Sequence, residues 1–107
     1  MHIKKGYVST SFGQVHYRVC GNGKPIVLLH PSPRSSVIFE KLMLTLGESY
    51  QVFAPDTLGF GYSDPLPQKF NFFDLADSIY EFVKYLSLNE ITIFGLHTGN
   101  KIASAIN

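Results

Sequence analysis

Near the end of the chain the sequence reads Gly95-Leu96-His97-Thr98-Gly99. Two glycines bracketing one reactive side chain form the frame of a strand-to-helix turn that lifts its central residue clear of the backbone. Serine is the usual occupant of that centre; here it is histidine. The flanks suit the turn, with "ITIF" before it as a strand and "NKIASAI" after it as a helix. Small residues are needed at both flanking positions, because strand and helix approach too closely there for side chains, and Gly95 and Gly99 supply them. At a helix N-terminus the positive end of the dipole disfavours an imidazolium. From an ordinary value of about 6.5 the pKa of His97 is therefore expected to fall, leaving a neutral ring at pH 7. A neutral imidazole serves as general base or nucleophile. Two readings stand side by side: a catalytic histidine, or a pocket-lining histidine in a degenerate turn. In a true turn of this kind His97 is expected to hold a positive φ, which histidine accepts more readily than most residues.

The elements that must position this turn begin with a hairpin. Tyr7-Val8 leads to a turn at Ser11-Phe12-Gly13, and "QVHYRV" then alternates, with Val15, Tyr17 and Val19 on one face and His16 and Arg18 on the other. Period two between glycine-bearing turns predicts an antiparallel pair with one wetter face. After Pro25 the pattern changes. "IVLLH", "YQVFAPD" and "EITIFG" are short apolar runs without clean alternation, as expected of strands buried on both faces. Helical spacing separates them: Val37, Ile38, Leu42 and Leu46 in one segment, and Leu75, Ile79, Phe82, Val83 and Leu86 in another that opens on Asn71 and Asp74. Strand and helix alternating after a hairpin imply an α/β sheet in spatial order 1-2-4-3-5, strands three to five parallel and joined by right-handed crossovers. A third helix is expected to start at Thr98 and to run beyond Asn107, so the pattern reads as cut off after the turn, with an apolar strand edge left open.

Composition excludes several classes of function. At 107 residues, with 45% hydrophobic and 14% aromatic content, the chain suits one globular domain over 1–107. Nine Lys and Arg against eight Asp and Glu give a net charge of +1 with no basic stripe, so nucleic acid and anionic membrane do not fit as partners. The single Cys20 makes no internal disulfide, which suits a reducing, cytoplasmic setting. The opening "MHIKKGYVST" lacks the apolar centre of a signal peptide, and no apolar run is long enough to cross a bilayer. No residue cluster has metal-ligand spacing, and Gly59 and Gly61 do not make a dinucleotide fingerprint, so neither metal nor cofactor is expected.

Three segments, in order, resemble the α/β-hydrolase family, in the branch of epoxide hydrolases, haloalkane dehalogenases and small esterases. "VLLHPSP" is similar to the strand that ends in His-Gly-x-Pro, "VFAPDTLGFGYSD" to the Ala-Pro-Asp-x-x-Gly-x-Gly-x-Ser segment, and "FDLADSIYEFVKYLSLNEITIFGLHTGN" to the following helix, strand and elbow. The resemblance covers nearly the whole chain and corresponds to the N-terminal part of the family's domain, with a C-terminal half missing. It implies that His97 takes the nucleophile's place and that the oxyanion hole is made by the backbone N–H groups of Ser32 and Thr98. Of Pro31, Ser32 and Pro33 only Ser32 has an N–H to donate, and the resemblance implies a cis bond between Ser32 and Pro33. Pro31 departs from the family's glycine, and Asn100 from its usual small residue. The family's acid and second histidine come from later strands, and none of His2, His16 and His30 lies where that histidine would be.

His30 ends the strand expected beside the elbow strand, about 4.8 Å away; it either approaches His97 or braces the loop from beneath. Asp56 is expected to tie down its own turn through backbone hydrogen bonds. Two functions follow: hydrolysis of a small, fairly apolar ester, epoxide or similar electrophile in a longer parent, the chain by itself being inactive, or a hydrolase-shaped protein that binds a small molecule or partner without chemistry.

Overall fold

In the computed structural model, which describes residues 1–96 and 98–106 and only the backbone of residues 98, 100 and 106, five strands form one mixed sheet in the order β1-β2-β4-β3-β5. The strands are β1 Lys4–Thr10, β2 Gly13–Cys20, β3 Lys24–Leu29, β4 Tyr50–Pro55 and β5 Thr92–Gly95. β1 and β2 are the expected antiparallel hairpin, and β2 also runs antiparallel to β4. β3 is parallel to both β4 and β5, with Val27 opposite Phe53 on one side and Ile93 on the other. The strand order and directions are those the sequence predicts.

Helices cover both faces. α2, Phe72–Tyr85, opens on Asn71, whose side chain accepts from the Asp74 N–H while the Asp74 carboxylate accepts from the Asn71 N–H. That reciprocal capping box satisfies two N–H groups the helix itself leaves without partners. Its inward residues Ile79, Phe82 and Val83 pack with Val15, Val27, Leu29 and Phe53 of the sheet and with Ile102 and Ala103 of α3, Thr98–Ile106. Phe82 is fully buried, which alone contributes about 1.5–3 kcal/mol of transfer free energy. The opposite face is covered by a 3-10 turn, Ser36–Phe39, running into α1, Glu40–Leu46. Phe39 and Met43 meet Cys20, Leu28, Val52 and Ala54 there.

Three sequence expectations are corrected. In the first helical segment Val37 and Leu42 are exposed, while Phe39 and Met43 are buried. The tighter winding of the 3-10 turn shifts the phase, so an unbroken 3.6-residue period reads the wrong face. His16 and Arg18 do not form a wetter face either: each is only 4% exposed. β2 is interior to the sheet, and polar partners from other segments meet both residues. Finally, β5 is not buried on both faces. It is an edge strand, and Phe94, beside Leu28 in the register, is 49% exposed.

Candidate active site

At the C-terminal ends of β3 and β4 the chain leaves the sheet in two loops that lie against each other. The first begins at His30, which is 1% exposed. Its Nδ1 lies 2.9 Å from the Pro31 carbonyl oxygen, and its Nε2 receives the Thr57 N–H at 3.0 Å, with the Thr57 hydroxyl 3.2 Å away. A carbonyl only accepts, so Nδ1 carries the proton; an N–H only donates, so Nε2 offers its lone pair. His30 is thus the neutral Nδ1–H tautomer. Burial pushes its pKa below the ordinary value, against smaller upward pulls from the Pro31 carbonyl and Asp56. Both ring nitrogens are engaged in holding the first loop to the second.

Further along the first loop the Ser32–Pro33 bond is cis, as the resemblance implies. Ser32 itself is exposed, and the Arg34 N–H donates back to the Pro31 carbonyl at 2.8 Å, closing a turn. The loop ends at Ser36, which is buried.

Asp56 starts the second loop and is 0% exposed. Its Oδ2 accepts from the Tyr62 N–H at 3.0 Å, so it does tie down its own turn. Gly61 lets the chain wrap this closely: a Cβ there would fall 2.2 Å from Oδ2, and its φ is +55°. Asp56 also reaches outward. Oδ1 accepts from the Ser36 N–H at 2.7 Å, and Oδ2 from His16 Nδ1 at 2.9 Å. Arg18 lies 3.9 Å from Oδ1 through Nη1, which donates to the Ser36 hydroxyl at 2.5 Å, while its Nε donates to Glu40 at 3.1 Å. Burial by itself would raise the Asp56 pKa. Hydrogen bonds from the Ser36 hydroxyl, the Tyr62 and Ser36 N–H groups and His16 outweigh it, so the carboxyl lies below its ordinary range. Sequence reasoning missed Arg18, His16 and Ser36 as members of this network. The one available signal was a polar pair at alternating positions of a strand whose expected place was inside the sheet.

Leu96 and Gly99 dock on the end of β3. The Leu96 N–H donates to the Leu29 carbonyl at 3.2 Å, and the Gly99 N–H to the Leu96 carbonyl at 2.9 Å. A Cβ on Gly99 would lie 2.3 Å from the Leu29 oxygen and 2.9 Å from that of His30; only glycine fits. Gly95 ends β5 opposite Leu29. Thr98 begins α3, and its side chain is outside the described residues. His97 lies outside them altogether, and with it the expected positive φ, the approach of His30 and the direction of the Ser32 N–H relative to it.

One remaining group bears on chemistry. Cys20 is buried and donates to the Met43 carbonyl at 3.3 Å, and burial raises its pKa, which disfavours the thiolate. Among the described residues no three His, Cys, Asp or Glu side chains are grouped to hold a metal ion, and no helix is long and apolar enough to cross a membrane.

Comparison with known proteins gives concordant results. The family model for the alpha/beta hydrolase fold matches residues 24–99. Haloalkane dehalogenase 2 of Mycobacterium tuberculosis is 33% identical over 101 residues, which are 94% of this chain and 35% of that protein. A soluble epoxide hydrolase of Corynebacterium sp. is 31% identical over 90 residues, 84% of this chain and 32% of that protein. The structure of the epoxide hydrolase CorEH superposes with a TM-score of 0.90 at 28% identity, over 95% of this chain and 36% of that one. The chain spans about a third of the length of the relatives it matches.

Proposed function

Because the chain belongs to the α/β-hydrolase fold family, we propose that it is the N-terminal portion of a single hydrolase domain whose complete form hydrolyses a small, fairly apolar ester, epoxide or related electrophile. In this reading Ser32 and Thr98 donate their N–H groups to the developing oxyanion, and His97 is the nucleophile or general base between them. One observation carries it. β3 and β5 are hydrogen-bonded neighbours, and the residues flanking His97 are docked on Leu29 and His30, from which the Ser32 loop departs. The first loop and the elbow therefore share one end of the sheet, the arrangement an oxyanion hole requires. No metal or cofactor enters this chemistry, and the substrate is a small molecule. The buried, unpaired Cys20 suits a reducing compartment such as the cytoplasm.

A second reading rests on the residue at the elbow. Histidine stands where serine is usual, and a hydrolase-shaped protein that keeps the pocket and binds a small molecule without turning it over accounts for that substitution. Turnover assays of the complete gene product on activated esters and epoxides separate the two. Hydrolysis above the buffer rate supports the enzyme; saturable binding without turnover supports the binder.

A further inference from the structure

The loop that carries Ser32 is held at both ends, and both holds are made by the start of the second loop. At its near end His30 joins the Pro31 carbonyl to the Thr57 N–H. At its far end the Ser36 N–H is bound by Asp56 Oδ1 at 2.7 Å. Residues 31–35 span the gap between these anchors. Asp56 is in turn fixed by donors from two further segments, Tyr62 of its own turn and His16 of β2.

The alternative role for a buried carboxylate beside Arg18 is charge balance. Distances argue against that as its main task. Arg18 is 3.9 Å from Asp56, whereas its direct bonds go to Glu40 at 3.1 Å and the Ser36 hydroxyl at 2.5 Å. The short contacts of Asp56 are to the Ser36 and Tyr62 backbone N–H groups, one from each loop, at 2.7 and 3.0 Å, and to His16 Nδ1 at 2.9 Å. A carboxylate receiving N–H groups from two loops fixes their relative position, since each bond is directional and buried.

We propose that Asp56 is a positioning residue for the oxyanion donor: through the Ser36 N–H it sets where the 31–35 loop, and so the N–H of Ser32, stands above β3. The inference rests on the reading of Ser32 as a donor. The Ser36 hydroxyl also belongs to the network, as acceptor for Arg18 Nη1, so the N–H link is isolated only by comparing a variant that loses the hydroxyl with one that loses both hydroxyl and N–H.

The test is a pair of variants at one site. Ser36→Ala and Ser36→Pro both remove the hydroxyl, but only proline removes the N–H, and proline is tolerated in the first turn of a helix. Amide hydrogen exchange and resonance positions are followed by NMR on the chain, with Val83→Ala, a core truncation on the opposite face, as a control for general loosening. Ser36→Pro should move the Ser32 and Arg34 resonances and speed exchange at both by about tenfold beyond Ser36→Ala. Asp56→Asn, which puts an NH2 group among donors, should do the same. Loop amides that are equal in Ser36→Pro and Ser36→Ala, or that shift as much in Val83→Ala, would overturn the proposal. A steady-state split then connects it to chemistry: in the complete protein, Ser36→Pro should lower kcat about tenfold or more below Ser36→Ala with KM held. The exchange result needs no turnover. A loosened loop in a protein that hydrolyses nothing keeps Asp56 as the anchor and removes the hydrolase reading, whereas an active protein with an unmoved loop removes only the anchor.

Discussion

Oδ1 of Asp56 accepts the Ser36 N–H at 2.7 Å, joining the end of the loop after β3 to the start of the loop after the adjacent parallel strand β4. The same carboxylate accepts from His16 of β2 and Tyr62 of its own turn. Each of these donors is left without an acceptor when the carboxylate is removed. Asp56→Ala should therefore cost about 3–5 kcal/mol in a chemical denaturation series, the range for removing one member of a buried charged group. A loss below about 1 kcal/mol would mean that the network relaxes onto other acceptors.

The sign of the pH dependence follows from the depressed Asp56 pKa. The unfolded chain binds this proton more readily than the folded one, so the contribution to stability is present above the ordinary carboxylate value of 3.8 and is lost as pH falls through the folded value. Wild-type protein should lose melting temperature on acidification over that window more steeply than Asp56→Asn. Parallel curves would deny the carboxylate this role.

His30 acts in the same direction at higher pH. Its folded pKa is lowered from 6.5, so below 6.5 the unfolded state takes up the proton first and stability declines with falling pH down to the folded value. Melting temperatures at about pH 7.5 and about pH 5.5 should differ more for wild type than for His30→Asn. An equal difference in both would place the titration elsewhere.

Gly99 tests how closely the start of α3 rests on β3. With a Cβ 2.3 Å from the Leu29 oxygen, neither partner is a flexible side chain. Gly99→Ala should destabilise by about 1–3 kcal/mol in a urea titration, as overpacking does. A neutral substitution would show that α3 can shift away from the sheet at no cost.

The helix cap provides a smaller effect, well separated from the site. Asn71→Ala should cost about 1 kcal/mol, since it removes the acceptor for the Asp74 N–H at 3.1 Å. A similar loss in Asp74→Ala, and a double variant that loses less than the sum, would mark the reciprocal box.

Much of this architecture was legible because it depends on local pattern. The runs at Ile26–Leu29, Val52–Ala54 and Ile91–Phe94, separated by helical periods, give a parallel sheet, and Asn71 with Asp74 marks a helix start from residue type and spacing alone. The errors arose where long-range partners decide. His16 and Arg18 alternate as a solvated face would, and only Asp56, Ser36 and Glu40, arriving from distant segments, make their burial affordable. Apolar spacing points Val37 and Leu42 inward because it does not show a 3-10 turn; Phe39 and Met43 take that place. The edge position of β5 follows from the expected strand order, but its apolar composition does not reveal that the Phe94 face is left 49% exposed. At the site, the resemblance led to the cis Ser32–Pro33 bond. The link from Asp56 to Ser36 has no local signature, because it is a contact between two loops.

The measurement that bears most directly on the hydrolase reading is turnover of activated esters and epoxides by the complete gene product, wild type against His97→Gly and His97→Ser. If the elbow holds a catalytic histidine at a positive φ, His97→Gly should raise the melting temperature by relieving about 1–3 kcal/mol of strain. It should also lower kcat by about a hundredfold or more, the contribution of a positioned base or nucleophile. Unchanged turnover in His97→Gly, or no turnover in the wild type, would contradict the account and leave the histidine a bystander.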